Sequence, residues 1–137
     1  MSKKHLIAVY GTLKKGFGNH RLLVNSKFIG SYVTESKHVM INHGIPEASP
    51  KWDIGNQLSV ELYEVNDKVL EDLDSLEGSP DWYYRYPVKL IGYDGIVEMY
   101  VSRVFESDRM PLSKLKTYKW HSEFTQDNRY ETYKEMI

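Results

Sequence analysis

Hydrophobic and polar residues follow one another in patterns that predict mostly β-strands in the first half of the chain. The uncharged run at residues 6–9 predicts a buried strand. Further strands are predicted over residues 28–33, 38–41 and 58–65, with a short helical turn over residues 20–23. A segment rich in Gly, Pro and Ser, residues 42–55, predicts a loop.

The second half of the chain carries the clearest helix signal. A helix is predicted over residues 66–77, because Asn66 or Asp67 can cap its start and Gly78 can end it. A hairpin follows, with strands over residues 85–91 and 96–105 and a tight turn at residues 93–95. A weaker pattern, Leu112, Leu115 and Tyr118, predicts a second helix. This order is typical of an α+β domain or a small barrel-like sheet. With no repeat or linker, one domain is expected over residues 1–137.

Glu77 departs from the amphipathic pattern of the predicted helix. Helical spacing places four apolar residues on the buried side, Val69, Leu70, Leu73 and Leu76. Glu77 follows Leu73 by one turn and therefore continues this buried stripe. Desolvation and the helix dipole both favour a neutral carboxyl, so its pKa is predicted to be raised, as a general acid or base requires. The alternative is a Glu paired with a buried Arg or Tyr, or one reaching solvent at a frayed helix end.

The stretch Tyr10-Gly11-Thr12 ends the first strand and indicates a turn. Gly11 allows positive φ and lets backbone amides approach a ligand, and such amides bind carboxylates as well as phosphates. Gly11 and Gly16 have the outer spacing of a Walker A loop, but Phe17 stands where its Lys is needed, so phosphate is not predicted. From these residues alone, a strand end with a surface turn is the favoured interpretation.

Composition removes several classes of function. The 137 residues are 41% hydrophobic and 27% charged, with a formal net charge of −1, which gives no electrostatic reason to expect nucleic acid or a membrane as partner. The chain has no cysteine and five histidines without zinc-ligand spacing, so no metal site is predicted. Without cysteine, and with apolar runs too short for a signal peptide, a cytoplasmic protein is expected. No G-x-S-x-G elbow is present, which argues against the serine catalysis of α/β-hydrolases.

Two blocks of sequence together resemble a known family. Residues 10–16, followed by Asn19-His20 and Leu22, are similar to the Y-G-T-L-x-x-G-x-x-N-H signature of γ-glutamylcyclotransferase-like proteins. Residues 73–85 match the L-D-x-x-E-x-x-P-x-x-Y-x-R run of the γ-glutamylamine cyclotransferase branch. The chain departs from the family at Val60, where Gly is usual, and this bears on the size of the substrate.

This resemblance implies an α+β fold, a small mixed barrel-like β-sheet with a few helices, and a pocket at the end of the first strand. It implies an enzyme that needs no cofactor and releases 5-oxoproline from a small γ-glutamyl amine or γ-glutamyl amino acid. Glu77 corresponds to the family's catalytic acid/base. The substrate-binding residues implied are Tyr10, Gly11, Thr12, Leu13, Tyr83 and Arg85.

Other interpretations remain open at this level. A binding module that senses a γ-glutamyl or amino-acid ligand would keep the pocket without catalysis. A scaffold protein could use the tyrosine-rich surface of a chain with 11 tyrosines. Four further side chains have expected roles. His20 is expected to orient the first loop by hydrogen bonding, and Asp74 to be solvated or capping rather than half of an acid–base dyad. The aromatic tail, Tyr130 and Tyr133, is a candidate cover for the pocket.

Overall fold

A five-stranded mixed sheet forms the framework in the computed structural model, which describes residues 3–106 and 110–131. Its strands are β1 (Lys4–Val9), β2 (Lys27–Val33), β5 (Ser59–Asn66), β6 (Tyr83–Leu90) and β7 (Tyr93–Ser102). A separate hairpin joins β3 (Met40–Asn42) to β4 (Pro46–Ala48). The α-helices are α1 (Asp67–Glu77) and α2 (Leu112–Leu115), and 3₁₀ turns cover Gly18–Leu23 and Arg103–Glu106.

The large sheet curls toward a barrel. Its strand order is β2-β5-β1-β7-β6, and β1 pairs with β7 in parallel whereas the other neighbours are antiparallel. The two outer strands meet at one end, where Thr34 bridges Leu90 and the Ile91 amide donates to the Val33 carbonyl at 2.8 Å. This confirms the α+β, barrel-like mixed sheet predicted from the sequence.

Each face of the sheet has its own core. Alternation along β1 directs Ala8 and Tyr10 into the inner cluster, and Ile7 and Val9 into the cluster beneath α1. Val60 belongs to the inner cluster and is 2% exposed. A third cluster, around Val39, Ile41, Met110 and Leu115, supports the small hairpin.

Helix α1 begins and ends as predicted. The Asn66 side chain accepts a hydrogen bond from the Val69 amide at 2.9 Å, and Gly78 adopts a left-handed conformation at φ +64°. Leu73 is fully buried, but Leu76 is 39% exposed, so its predicted place in the buried stripe is wrong. Successive residues are 100° apart around the helix, so Leu76, three residues after Leu73, lies to one side of the buried face. Glu77, four residues after Leu73, returns toward that face.

Several predicted boundaries need correction. The predicted loop over residues 42–55 contains β4, which pairs with β3 through a turn that includes Gly44 at φ +95°. The β6–β7 turn lies at Ile91-Gly92 rather than at residues 93–95, because Gly92, at φ +86°, supplies the positive φ of the turn. Strand β7 ends at Ser102, and α2 does not reach Tyr118. No helix in the described ranges is long and apolar enough to cross a bilayer.

Candidate active site

A narrow pocket opens where β1 leaves the sheet. The empty space between its atoms, counted together with the open solvent at its mouth, is about 360 Å³. Its walls come from the end of β1 with the loop that follows, the turn before β4, the end of α1, and strands β6 and β7. The structure brings together six of the seven residues assigned to the site from the sequence, namely Tyr10, Gly11, Thr12, Leu13, Glu77 and Tyr83.

Gly11 is needed in this wall for its lack of a side chain rather than for positive φ. Positive φ occurs in this loop at Gly16, at +92°, whereas Gly11 has none, so that part of the expectation is wrong. A Cβ on Gly11 would lie 2.6 Å from Cγ of Pro46, closer than side chains approach one another. Gly11 therefore allows the loop after β1 to pack directly against Pro46 at the start of β4.

Side chains from the 3₁₀ turn hold the loop after β1 in place. The Asn19 side-chain amide donates to the Thr12 hydroxyl at 2.8 Å. His20 Nδ1–H donates to the Leu13 carbonyl at 2.9 Å, and the predicted orienting role of His20 is confirmed. The backbone amides of Gly11, Thr12 and Leu13 donate no hydrogen bond to the described part of the chain. They are therefore free to bind an anion at the pocket wall.

Glu77, the last residue of α1, lines the same pocket as Gly11, Thr12 and Leu13. Its carboxyl lines the pocket and has no hydrogen bond or ion pair with residues 3–106 or 110–131. Removal from water raises its pKa from 4.5 to about 7. The direction agrees with the sequence prediction, and burial is the cause. A carboxyl with this pKa can accept and return a proton near neutral pH.

Three tyrosines complete the wall around Glu77, and all three hydroxyls donate to other acceptors. The Tyr10 hydroxyl donates to the Tyr100 carbonyl at 2.7 Å, and the Tyr83 hydroxyl donates to the Pro46 carbonyl at 2.9 Å. The Tyr100 hydroxyl donates to Oδ1 of Asp74 at 2.6 Å. Burial raises the pKa of all three phenols, which are therefore neutral at physiological pH.

Arg85 lies outside the pocket. Its guanidinium contacts Asp74 Oδ1 at 3.2 Å and Glu98 Oε1 at 3.0 Å. It therefore supports the wall through Asp74, which in turn accepts from Tyr100. Asp74 was expected to be solvated or capping, and this is wrong, because a cation on β6 and a phenol on β7 both converge on it.

A family model matches most of the chain. The model of a family described as gamma-glutamyl cyclotransferase, AIG2-like, matches residues 7–132. The chain belongs to this family. A putative gamma-glutamylcyclotransferase of Methanocaldococcus jannaschii is 44% identical over 86 residues, which are 62% of this chain and 71% of that protein.

Vertebrate relatives and a solved structure also resemble this cyclotransferase-family chain. Gamma-glutamylaminecyclotransferase C of Danio rerio is 39% identical over 94 residues, or 63% of this chain. The match spans 62% of the Danio protein's length, less than two thirds. The crystal structure of an AIG2-like protein from Mus musculus superimposes with a TM-score of 0.75, at 22% identity and over 97% of both chains. This last likeness establishes the shared fold.

Sequence reasoning missed part of the cyclotransferase-family pocket. Ile45 and Pro46 line the pocket from a segment that was predicted only as a loop. Tyr100 lines it from a strand in which the sequence does not distinguish pocket-lining side chains from core side chains. Val60, where the chain departs from the family pattern, does not line it and packs in the inner cluster instead. Tyr130 is 72% exposed and does not line it either. Tyr133 lies outside the described residues.

Ionisation of Glu77 is expected to cost stability as the pH rises. Its pKa is about 7 in the fold, whereas an unburied Glu has 4.5, so the fold favours the neutral acid. The cost is absent below about pH 4.5 and complete above about pH 8, where it reaches about 3 kcal/mol. Glu77→Gln should therefore stabilise the protein relative to wild type by an amount that grows between about pH 5 and about pH 8. Urea unfolding at several pH values measures this. A difference that is the same at every pH would contradict it.

Proposed function

We propose that this protein is a cyclotransferase that releases 5-oxoproline from a γ-glutamyl amine or γ-glutamyl amino acid. The observation that carries the proposal is the position of Glu77, a carboxyl without a partner in the described chain, in the same pocket as three free backbone amides. Membership of the gamma-glutamyl cyclotransferase family supports this assignment.

The loop after β1 would hold the glutamyl part of the substrate. The free amides of Gly11, Thr12 and Leu13 are suited to a carboxylate and to the oxyanion that forms at the γ-carbonyl. Holding the glutamyl chain curled brings its own α-amine onto the γ-carbonyl carbon. Well-oriented intramolecular attack is equivalent to effective concentrations on the order of 10⁵–10⁸ M, so positioning is a main part of the catalysis.

Glu77 would carry the proton. Its carboxylate accepts a proton from the substrate's α-ammonium, and the amine so formed attacks the γ-carbonyl carbon, forming the new ring C–N bond. The tetrahedral intermediate collapses with cleavage of the original γ-amide C–N bond. The departing nitrogen takes the proton from Glu77, and the regenerated carboxylate accepts the second proton that the new ring nitrogen must lose and passes it to the released amine. The products are 5-oxoproline and an ammonium, with Glu77 again a carboxylate. The raised pKa of Glu77 narrows the gap to that of the ammonium and thus favours this transfer.

The leaving group is proposed to be an amine, as in the γ-glutamyl-ε-lysine class of substrate. Support comes from relatives named gamma-glutamylaminecyclotransferase in Danio rerio and in Bos taurus, the latter 34% identical over 105 residues. Ile45, which lines the pocket and is 46% exposed, marks the mouth through which this group would extend.

A panel of γ-glutamyl compounds tests this function. Purified protein is incubated with γ-glutamyl-ε-lysine, γ-glutamyl-alanine and glutathione, and 5-oxoproline is measured by mass spectrometry. We expect the largest turnover with γ-glutamyl-ε-lysine. Silence on the whole panel, together with calorimetric binding of the same compounds, would replace catalysis by the alternative of a ligand-binding module.

A further inference from the structure

Glu77 is surrounded by phenol hydroxyls, yet none of them donates to it. The charge of Glu77 raises the pKa of Tyr10, Tyr83 and Tyr100, so the three hydroxyls lie within its field. Each hydroxyl is committed to a different acceptor. A donor at Glu77 would favour its charged form and make it a weaker base.

The hydrogen bonds that these three hydroxyls donate are not equivalent. Tyr10 and Tyr83 donate to backbone carbonyls, which side-chain substitutions do not remove. Tyr100 donates to the carboxylate of Asp74, one turn before Glu77 on α1. Residues three apart on a helix lie side by side, so two carboxylates compete for this single hydroxyl. The hydroxyl donates to Asp74 Oδ1, at 2.6 Å.

Arg85 explains why Asp74 can hold the hydroxyl. Its guanidinium contacts the same oxygen, Asp74 Oδ1, at 3.2 Å and is held from its far side by Glu98 at 3.0 Å. This contact holds the Asp74 carboxylate where it accepts from Tyr100, and a charged acceptor makes the stronger hydrogen bond. Among the described residues, no cation lies beside Glu77 to play the same part.

We propose that Asp74 is a positioning residue, which draws the Tyr100 hydroxyl away from Glu77 and so keeps the Glu77 carboxyl free for the substrate's ammonium. The inference rests on the proposed function for its purpose, although its structural part concerns the free protein alone. It also gives Arg85 a task, since Arg85 orients Asp74 from outside the pocket.

Charged and titratable groups reach Glu77 or its tyrosines from every element around the pocket. They are Tyr10 after β1, Glu47 on β4, Asp74 on α1 itself, Tyr83 and Arg85 on β6, and Tyr100 on β7. Glu47 acts on the phenols of Tyr10 and Tyr83. A useful test must therefore separate loss of the acceptor at Asp74 from loss of its charge.

Carbon-13 NMR titration of the Glu77 side chain provides the measurement, and it needs no substrate. In Asp74→Ala the Tyr100 hydroxyl is released, and we expect it to donate to Glu77 and lower that pKa by about 1 to 2. Asp74→Asn removes the charge but keeps an acceptor oxygen, so the Glu77 pKa should change far less. The double variant Asp74→Ala with Tyr100→Phe lacks the hydroxyl that Asp74→Ala releases. The Glu77 pKa should therefore return to near the wild-type value.

Each other outcome overturns the proposal. Equal lowering in Asp74→Ala, Asp74→Asn and the double variant would assign the effect to charge alone. No change in Asp74→Ala would show that the hydroxyl does not move to Glu77. If Asp74→Ala fails to fold, Tyr100→Phe alone decides. The proposal expects the Glu77 pKa to stay near wild type, whereas a rise of about 1 or more would mean that the hydroxyl already serves Glu77.

Activity assays separate this inference from the proposed function. If the wild type releases 5-oxoproline but the Glu77 pKa does not respond, the cyclotransferase proposal stands and the positioning role falls. If the pKa responds but no panel compound is turned over, the positioning stands and the function falls. Where both hold, the acid limb of the kcat/KM profile of Asp74→Ala should move down with the Glu77 pKa.

Discussion

Glu77→Gln is expected to lower the rate of 5-oxoproline release by about 10²–10⁴-fold, the range that a positioned general acid or base contributes. Gln has nearly the same shape but cannot accept the ammonium proton or return it to the departing amine. The loss should appear in kcat more than in KM, because we propose that the loop after β1, rather than Glu77, holds the substrate's carboxylate. Steady-state kinetics with γ-glutamyl-ε-lysine would measure both constants.

Glu71→Gln provides the matched control. It makes the same change on the same helix, but Glu71 is exposed on the outer face of α1, so activity should remain within about twofold of wild type. Thermal unfolding of both variants shows that each is folded. Equal activity of Glu77→Gln and wild type would remove Glu77 from the chemistry, and the catalytic proposal with it.

Gly11→Ala is expected to produce the second large effect. The new Cβ would lie 2.6 Å from Pro46 Cγ, so one pocket wall must move by about 1 Å to restore ordinary contact. Misplacement by about that distance can cost about 10²-fold in rate. Overpacking of this kind also destabilises by about 1–3 kcal/mol. Kinetics and urea unfolding, measured on the same preparation, would report both changes.

Gly18→Ala controls for the loss of a nearby glycine, at the start of the 3₁₀ turn that follows this loop. A Cβ there meets no described atom within 4 Å, and Gly18 has no positive φ. We expect unchanged activity and a stability change within about 0.5 kcal/mol. If both alanine variants behave alike, the contact between Gly11 and Pro46 does not shape the pocket.

Local rules predicted the elements that local interactions stabilise. The cap at Asn66, the left-handed Gly78 and the spacing of Leu70 and Leu73 lie within one short segment, and the structure has α1 where they place it. Glu77 was found by the same periodicity, as a carboxyl in a position that should be apolar. The turn between β6 and β7 was misplaced because two glycines close together, Gly92 and Gly95, both fit the turn signal, and both have positive φ.

The sequence by itself determined the loop after β1, the helix that ends in Glu77, and the raised pKa expected of a carboxyl on a buried stripe. Only the tertiary structure decided how these parts are partnered. Tyr100 donates to Asp74 across 26 positions, Tyr83 to Pro46 across 37, and Tyr10 to Tyr100 across 90. No periodicity or turn rule spans such separations, since they depend on how the sheet curls and brings β4, β6 and β7 around the end of β1. The result is a carboxyl that the sequence places in the interior and to which no residue of the described ranges donates a hydrogen bond.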